Sequence, residues 1–226
     1  MNPYKTVDPY AAAARFYGRC LDPVIIRWKR KAMRLYRPRR GAAVLDVGSG
    51  TGAQLNLYHS YGCRVFGIEL SAGMIAAARQ KYHRLSNLCR GNAARMPYRD
   101  QAFDLILLSM MLHEIPPDIR QVVLAETERV LKDSGRVLII DYRAGHATAS
   151  PGRLFRGLIT LVEMAAGRPH FENYRNFMKT GGLPPLLKNY RLTIDRHDTA
   201  GSGNIGLHLL RKDLSKNENS NREHMT

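Results

Sequence analysis

"VLDVGSGTGAQ", Val44 to Gln54, decides the fold of this 226-residue chain. The apolar run "AAVLDVG" reads as a buried strand. It ends in Gly48, Gly50 and Gly52, which let the backbone turn sharply. Ala53 to Tyr61 then continues as a helix. Strand and helix signals then alternate from that stretch onward.

"CRVFGIEL" (Cys63 to Leu70) is a second strand, and Ser71 after it offers a helix N-cap. Met74, Ile75, Ala78, Tyr82 and Leu85 follow at helical spacing. "NLCRGNA" is a third strand. "FDLILLSMML" (Phe103 to Leu112) is a fourth, apolar on both faces as a central parallel strand should be. Pro116, Pro117 and Asp118 open the next helix. Ile119, Val122, Val123 and Val130 lie on its apolar side, and Gly135 fits its C-terminal cap. "RVLIIDY" (Arg136 to Tyr142) is the fifth strand. This alternation over residues 42–145 predicts an α/β fold with a doubly wound, Rossmann-like, mostly parallel sheet. Pro151 to Gly167 reads as helical, and Glu172 to Lys188 as short helices or irregular structure around Gly181-Gly182. "YRLTIDRHD" and "IGLHLLRKD", joined through "TAGSG", predict a C-terminal antiparallel hairpin that closes the sheet. The expected organisation is a helical, basic N-terminal lid over residues 1–40 and a ligand-binding domain over 41–213. An insert spans about 146–189, and a polar, disordered tail covers 214–226.

The glycine turn suits two ligands. From Gly48 it reads Gly-x-Gly-x-x-Ala, the dinucleotide pattern of NAD enzymes. From Asp46 it reads Asp-x-Gly-x-Gly-x-Gly, which suits S-adenosyl-L-methionine (SAM). Glu69, at the end of the second strand, can take the ribose hydroxyls of either. Asp46 separates them: its carboxylate can accept from the α-amino group of a methionine moiety but would repel a pyrophosphate. After Tyr142 about 70 residues remain before the tail, short of the roughly 100–200 of a second domain that would bring a hydride acceptor. Asn92-Ala93 ends the third strand with a polar side chain able to meet an adenine amine. These points favour SAM over a NAD(P)-dependent oxidoreductase.

The sequence resembles the class I SAM-dependent methyltransferases, in particular the UbiE-like (type 11) group. The resemblance covers roughly residues 8–142 and rests on five segments in order: "AAARFYGRCLDP", "VLDVGSGTG", "VFGIELSAGMIAAAR", "GNAARMPYRDQAFDLILLSMMLHEI" and "RVLKDSGRVLIIDY". It implies cofactor roles for Asp46, Gly48, Ser49, Gly50, Gly52, Glu69, Leu70, Asn92, Ala93 and Ser109. Met74 packs near the adenine in this reading, and Tyr17 covers the cofactor from the lid. The product is S-adenosyl-L-homocysteine. The group usually has Asp where this chain has Asn92.

Methyl transfer from a sulfonium needs alignment in a dry pocket more than a conspicuous acid–base pair. Carbon and weakly acidic oxygen acceptors do need a base. "MMLHEIPP" places His113 and Glu114 just beyond the fourth strand, at the carboxyl end of the sheet where such folds bind ligands. His113 is the candidate catalytic residue. Tyr142 and Arg143 lie at the same rim, and His170, Tyr174 and Phe177 lie in the insert, so these are the candidate substrate residues with His113. Nothing in the spacing resembles a metal site, and none is expected. The apolar "GGLPPLL" suits a small or lipid-like acceptor. An RNA or protein acceptor and a non-catalytic SAM-binding protein remain alternatives.

The net charge is +16, from 35 Lys and Arg against 19 Asp and Glu. It points to polyanionic surroundings. "RWKRKAMRLYRPRR" (Arg27 to Arg40) contains no acid. As a helix over Pro23 to Tyr36, it sets Ile25, Trp28, Ala32 and Leu35 on one face and Arg27, Arg30, Lys31 and Arg34 opposite. That pattern fits a lid packed on the domain. It also fits a peripheral helix on an anionic membrane surface, aided by Arg37, Arg39 and Arg40. Nucleic acid is the weaker alternative, since no RNA or DNA module is recognisable. Cys20, Cys63 and Cys89 form no pair or metal spacing. No signal-like apolar region or membrane-length run is present. A cytoplasmic location is expected.

Overall fold

The structure is a computed structural model and describes residues 22–145 and 150–215. Tyr17, Cys20 and most of the polar tail lie outside the described residues. The chain runs α1 (Asp22–Leu35), β1 (Ala43–Val47), α2 (Ala53–Tyr61), β2 (Arg64–Glu69), α3 (Ala72–Lys81) and β3 (Leu88–Arg90). Then come β4 (Phe103–Ser109), α4 (Pro117–Val130), β5 (Leu131–Tyr142), α5 (Ser150–Ala165), α6 (Arg168–Lys179) and the short α7 (Leu183–Leu186). β6 (Leu192–Ala200) and β7 (Ile205–Lys212) finish the fold.

Seven strands form one sheet in the order β3-β2-β1-β4-β5-β7-β6. β1 to β5 are parallel, and β7 is antiparallel to both β5 and β6. The order reverses between β1 and β4, so helices leave their carboxyl ends toward opposite faces and a crevice opens there. The core is the double-sided centre of the sheet: all of β1 is buried, as are Leu105 to Leu108 of β4. Ile205, Leu207, Leu209 and Leu210 bring the same burial to β7. β6 forms the edge and exposes Asp195, Arg196 and His197, the charged or polar side chains that discourage edge pairing. Among the described residues no helix is long and apolar enough to cross a membrane.

Two local expectations change. Gly135 does not cap α4, which ends at Val130 with Leu131 extended. The pairing Phe103↔Leu131 shifts to Leu105↔Arg136, and Gly135 sits in that bulge. A Cβ there would lie 2.6 Å from Leu131 Cδ1 and 2.9 Å from the Lys132 carbonyl. The apolar stripe of α1 packs inward: Ala32 is fully buried and Trp28 meets Phe155 edge-on at 6.3 Å. Lys31 is turned to the domain as well, donating to Asp198 at 3.0 Å. Arg27, Arg30 and Arg34 remain exposed.

Candidate functional site

A cleft of about 280 Å³ opens at the carboxyl ends of β1, β2 and β4. Its floor is the glycine turn. Gly48, Gly50 and Gly52 all have positive φ (70°, 51° and 75°), the left-handed region that L side chains resist. They do different work. A Cβ on Gly50 would meet nothing within 4 Å and would project into open space. A Cβ on Gly52 would lie 2.8 Å from Leu85 Cδ1 and 3.2 Å from Ala78 Cβ, so that glycine lets the turn pack on α3. Gly48 and Gly50 line the cleft with Ser49, Thr51, Glu69, Leu70, Met74, Gly91, Asn92, Ala93 and Ser109. Gly52 does not.

Glu69 is held before any ligand arrives. Its carboxylate accepts from the Gly50 N–H and the Ser71 N–H, each at 2.9 Å. Its remaining lone pairs are available to hydroxyl donors. Asn92 Oδ1 accepts from the Ala94 N–H at 2.9 Å, which fixes the side chain in a local turn. Ser109 donates its hydroxyl to Gln54.

Asp46 is buried two residues before the first glycine of the floor, and its Oδ1 has no protein partner. Ser49 Oγ and Gln54 Nε2, from the same turn and the start of α2, are likewise buried and unpartnered by protein. Burial pushes the Asp46 carboxyl up to about 7; Lys29 opposes this and Glu69 adds to it. A buried carboxylate with an unfilled acceptor site favours a cationic donor, reached directly or through one water.

The other end of the cleft is apolar. Met110, Met111, Ile115, Pro116, Ile119 and Val123 line it, with Glu114 as its carboxylate. Ile25 and Lys29 of α1 close the top, so the N-terminal helix does lie over the site. Sequence reading had singled out few of these residues. The signal was present in the apolar residues of "MMLHEIPP" and in the step of four from Ile119 to Val123.

His113 points away from the cleft, into the interior. Its Nδ1 lies 2.7 Å from Asp141 Oδ1, and its Nε2 lies 3.7 Å from Glu163 Oε1 and 3.9 Å from Glu114 Oε1. Burial depresses its pKa, but Asp141, Glu114 and Glu163 outweigh that and push it up to about 9. Tyr142 donates to Glu163 at 2.7 Å, and His170 Nε2 meets the other Glu163 oxygen at 2.5 Å. The His113 ring packs against Tyr142 at 4.5 Å and Tyr174 at 6.3 Å. Thus His113, Tyr142, His170 and Tyr174 come together, while none of them lines the cleft. Phe177 is fully buried nearby under Arg120. Arg143 stands apart, with its side chain exposed. The spacing gave no metal set, yet His113, Glu163 and His170 bring three ligand atoms within 4.8 Å of one another.

Residues 45–139 match the family described as a methyltransferase domain. The chain is 34% identical over 116 residues to a demethylmenaquinone methyltransferase of Tropheryma whipplei, covering 51% of this chain and 48% of that protein. It is 33% identical over 121 residues to the Bacillus mycoides protein of the same name, covering 50% of each. The chain therefore spans about half the length of the curated relatives it matches. Among solved structures, a SAM dependent methyltransferase from Aquifex aeolicus superposes with a TM-score of 0.64 at 19% identity, covering 91% of this chain and 99% of that one. The PH0226 protein of Pyrococcus horikoshii gives 0.64 at 20%, covering 94% and 99%. These likenesses establish the fold.

Proposed function

We propose that this chain, whose residues 45–139 are a methyltransferase domain, transfers a methyl group from SAM to a lipid-like quinol. The observation that carries the reading is Asp46: a buried carboxylate oxygen without a protein partner, behind the glycine turn rather than among the residues that line the cleft, and near enough to Glu69 for that carboxylate to raise its pKa. When bound, SAM supplies an electrophilic methyl on a sulfonium and leaves as S-adenosyl-L-homocysteine. Asp46 accepts from the amino end, and Lys29 offers a cation for the carboxylate end. Glu69 takes the ribose hydroxyls. Met74, Leu70 and Ala93 enclose the adenine. The apolar end of the cleft excludes water and seats the acceptor against Met110 and Met111. Glu114 takes the proton that the acceptor loses. The names of the relatives support a quinol acceptor.

The test is transfer of labelled methyl from SAM to a reduced demethylated naphthoquinone bearing a prenyl tail. Label in the organic phase supports the reading. Label appearing only in RNA or protein would replace the acceptor class. Cofactor binding with no product across all three classes would favour a non-catalytic SAM-binding protein.

The glycines give a paired prediction. Gly50→Ala should fold, at a cost of roughly 1–2 kcal/mol for a left-handed L residue, yet lose at least about tenfold in SAM affinity because its methyl enters the cleft. Gly52→Ala should lower the melting temperature more, since its methyl overlaps Leu85. Equal affinity in Gly50→Ala and the native protein would count against ligand occupancy of the turn.

A lipid acceptor is best met at a bilayer, and α5 presents the surface for it. Leu154, Leu158 and Leu161 recur on one face and are 80%, 56% and 64% exposed. Arg153 of the same helix and Arg168 and Arg175 of α6 are exposed as well. With the net charge of +16, this face complements an anionic membrane surface. The α1 stripe is less available, since Ala32 is buried and Ile25, Trp28 and Leu35 are half-buried. Leu158→Glu with Leu161→Glu should reduce co-sedimentation with anionic vesicles at least about tenfold. Undiminished sedimentation in that variant, or loss of a dimer in its place, would remove α5 as the membrane face.

A further inference from the structure

We propose that His113, Glu163 and His170 form a binding site for a divalent ion of the zinc class. The three residues come from the β4–α4 loop, α5 and α6, and their ligand atoms lie within 4.8 Å of one another. Two imidazoles and one carboxylate are a common zinc donor set. In a tetrahedral zinc site, bonds of about 2.0–2.1 Å place ligand atoms about 3.3 Å apart. The His113 Nε2 to Glu163 Oε1 separation is 3.7 Å, and Glu163 Oε2 to His170 Nε2 is 2.5 Å. To meet those bond lengths the first separation closes by about 0.4 Å and the second opens by about 0.8 Å.

The surroundings are those of a metal site. A ligating histidine usually gives its second ring nitrogen to a carboxylate, which fixes its tautomer and aim. His113 Nδ1 meets Asp141 Oδ1 at 2.7 Å, and that leaves Nε2 directed at Glu163. Asp141 is itself held, because its Oδ2 accepts from the Leu112 N–H at 2.9 Å. Tyr142 anchors Glu163 through its phenol. The set is dry: the side chains of His113, Asp141 and Glu163 are 2%, 3% and 5% exposed, and His170 at 12% offers an entry. Two buried carboxylates, with Glu114 beside them, make a concentration of negative charge that a dication offsets.

The site lies outside the cleft, so the ion acts by position. It pins α5 and α6 to the rim formed by β4 and β5. Glu114, next to His113, is then held in the cleft wall. No step of methyl transfer passes through the ion.

The test uses the full chain without a histidine tag, stripped with a chelator and titrated with zinc alone and with cobalt(II). The expected result is one ion per folded chain and a cobalt spectrum of low coordination number. His170→Ala should bind zinc at least 100-fold more weakly, and Asp141→Asn about 10- to 100-fold more weakly. His197→Ala, on the exposed β6 edge, should bind as the native chain does. Circular dichroism on the stripped samples separates lost binding from lost folding. A folded native chain that takes up no zinc would overturn the proposal. So would stoichiometric binding that survives both His113→Ala and His170→Ala.

Discussion

Replacing Asp46 by alanine is expected to weaken SAM binding by about 1–3 kcal/mol, or 5- to 150-fold. The carboxylate is buried, and its Oδ1 has no protein partner. It therefore keeps its acceptor capacity for a ligand. The effect has a pH signature. Burial raises the Asp46 carboxyl to about 7, so below that pH the ligand-free protein holds a neutral acid there. Binding a cationic amine then requires release of that proton. Affinity should fall as pH drops from 8 to 6, approaching a tenfold loss per unit well below 7. Asp46→Ala should flatten this dependence. Calorimetric titration of both proteins across that range checks both statements. Glu69→Ala should lose a similar amount and, because it keeps Asp46 buried, retain the fall in affinity between pH 8 and 6.

Replacing Arg120 by alanine should be the most destabilising single change, at about 3–5 kcal/mol. Its side chain is almost fully buried on α4. Nε donates to the Leu112 carbonyl at 2.7 Å, Nη1 to Asn176 Oδ1 at 2.8 Å and Nη2 to the Asn173 carbonyl at 2.6 Å. The guanidinium also lies 5.2 Å over the Phe177 ring. Alanine would leave the buried Leu112 carbonyl, the partly buried Asn173 carbonyl and the Asn176 amide oxygen without their donor, the buried one costing about 1–3 kcal/mol before relaxation, and would open a cavity. Arg120→Lys keeps the charge but not the fork, so it should fall between the two. Urea unfolding should show the loss as a shift in midpoint with little change in slope. A loss under about 1 kcal/mol in Arg120→Ala would contradict this account.

Features set by adjacent residues were legible in the sequence. The glycine turn, Glu69 at its strand end and Ser71 as cap all follow from local spacing, and Ser71 Oγ does accept from the Met74 N–H. The mostly parallel sheet and its closing hairpin followed from strand–helix alternation and the short "TAGSG" loop. What depends on the rotation of a helix was not legible. In α4, Val122 belongs by spacing to the apolar side, yet it is 43% exposed while Arg120 is 1% exposed. The pull of three acceptors on Arg120, one of them buried and two partly buried, outweighs the burial of one valine. In α5, apolar residues occur on several faces, and periodicity did not say that Leu154, Leu158 and Leu161 would face outward. The cluster joins His113 to two residues of the insert some fifty positions further on, one of them the single acid of α5. No spacing rule connects them before the insert is folded onto the rim of the sheet.

The central claim is that the cleft above "VLDVGSGTG" holds the methionine-containing adenosine cofactor and not a dinucleotide. Calorimetric titration of the native chain with S-adenosyl-L-homocysteine, run beside NAD, tests it most directly. The account predicts saturable binding of one S-adenosyl-L-homocysteine per chain and no measurable binding of NAD. Binding of NAD with none of S-adenosyl-L-homocysteine would contradict it.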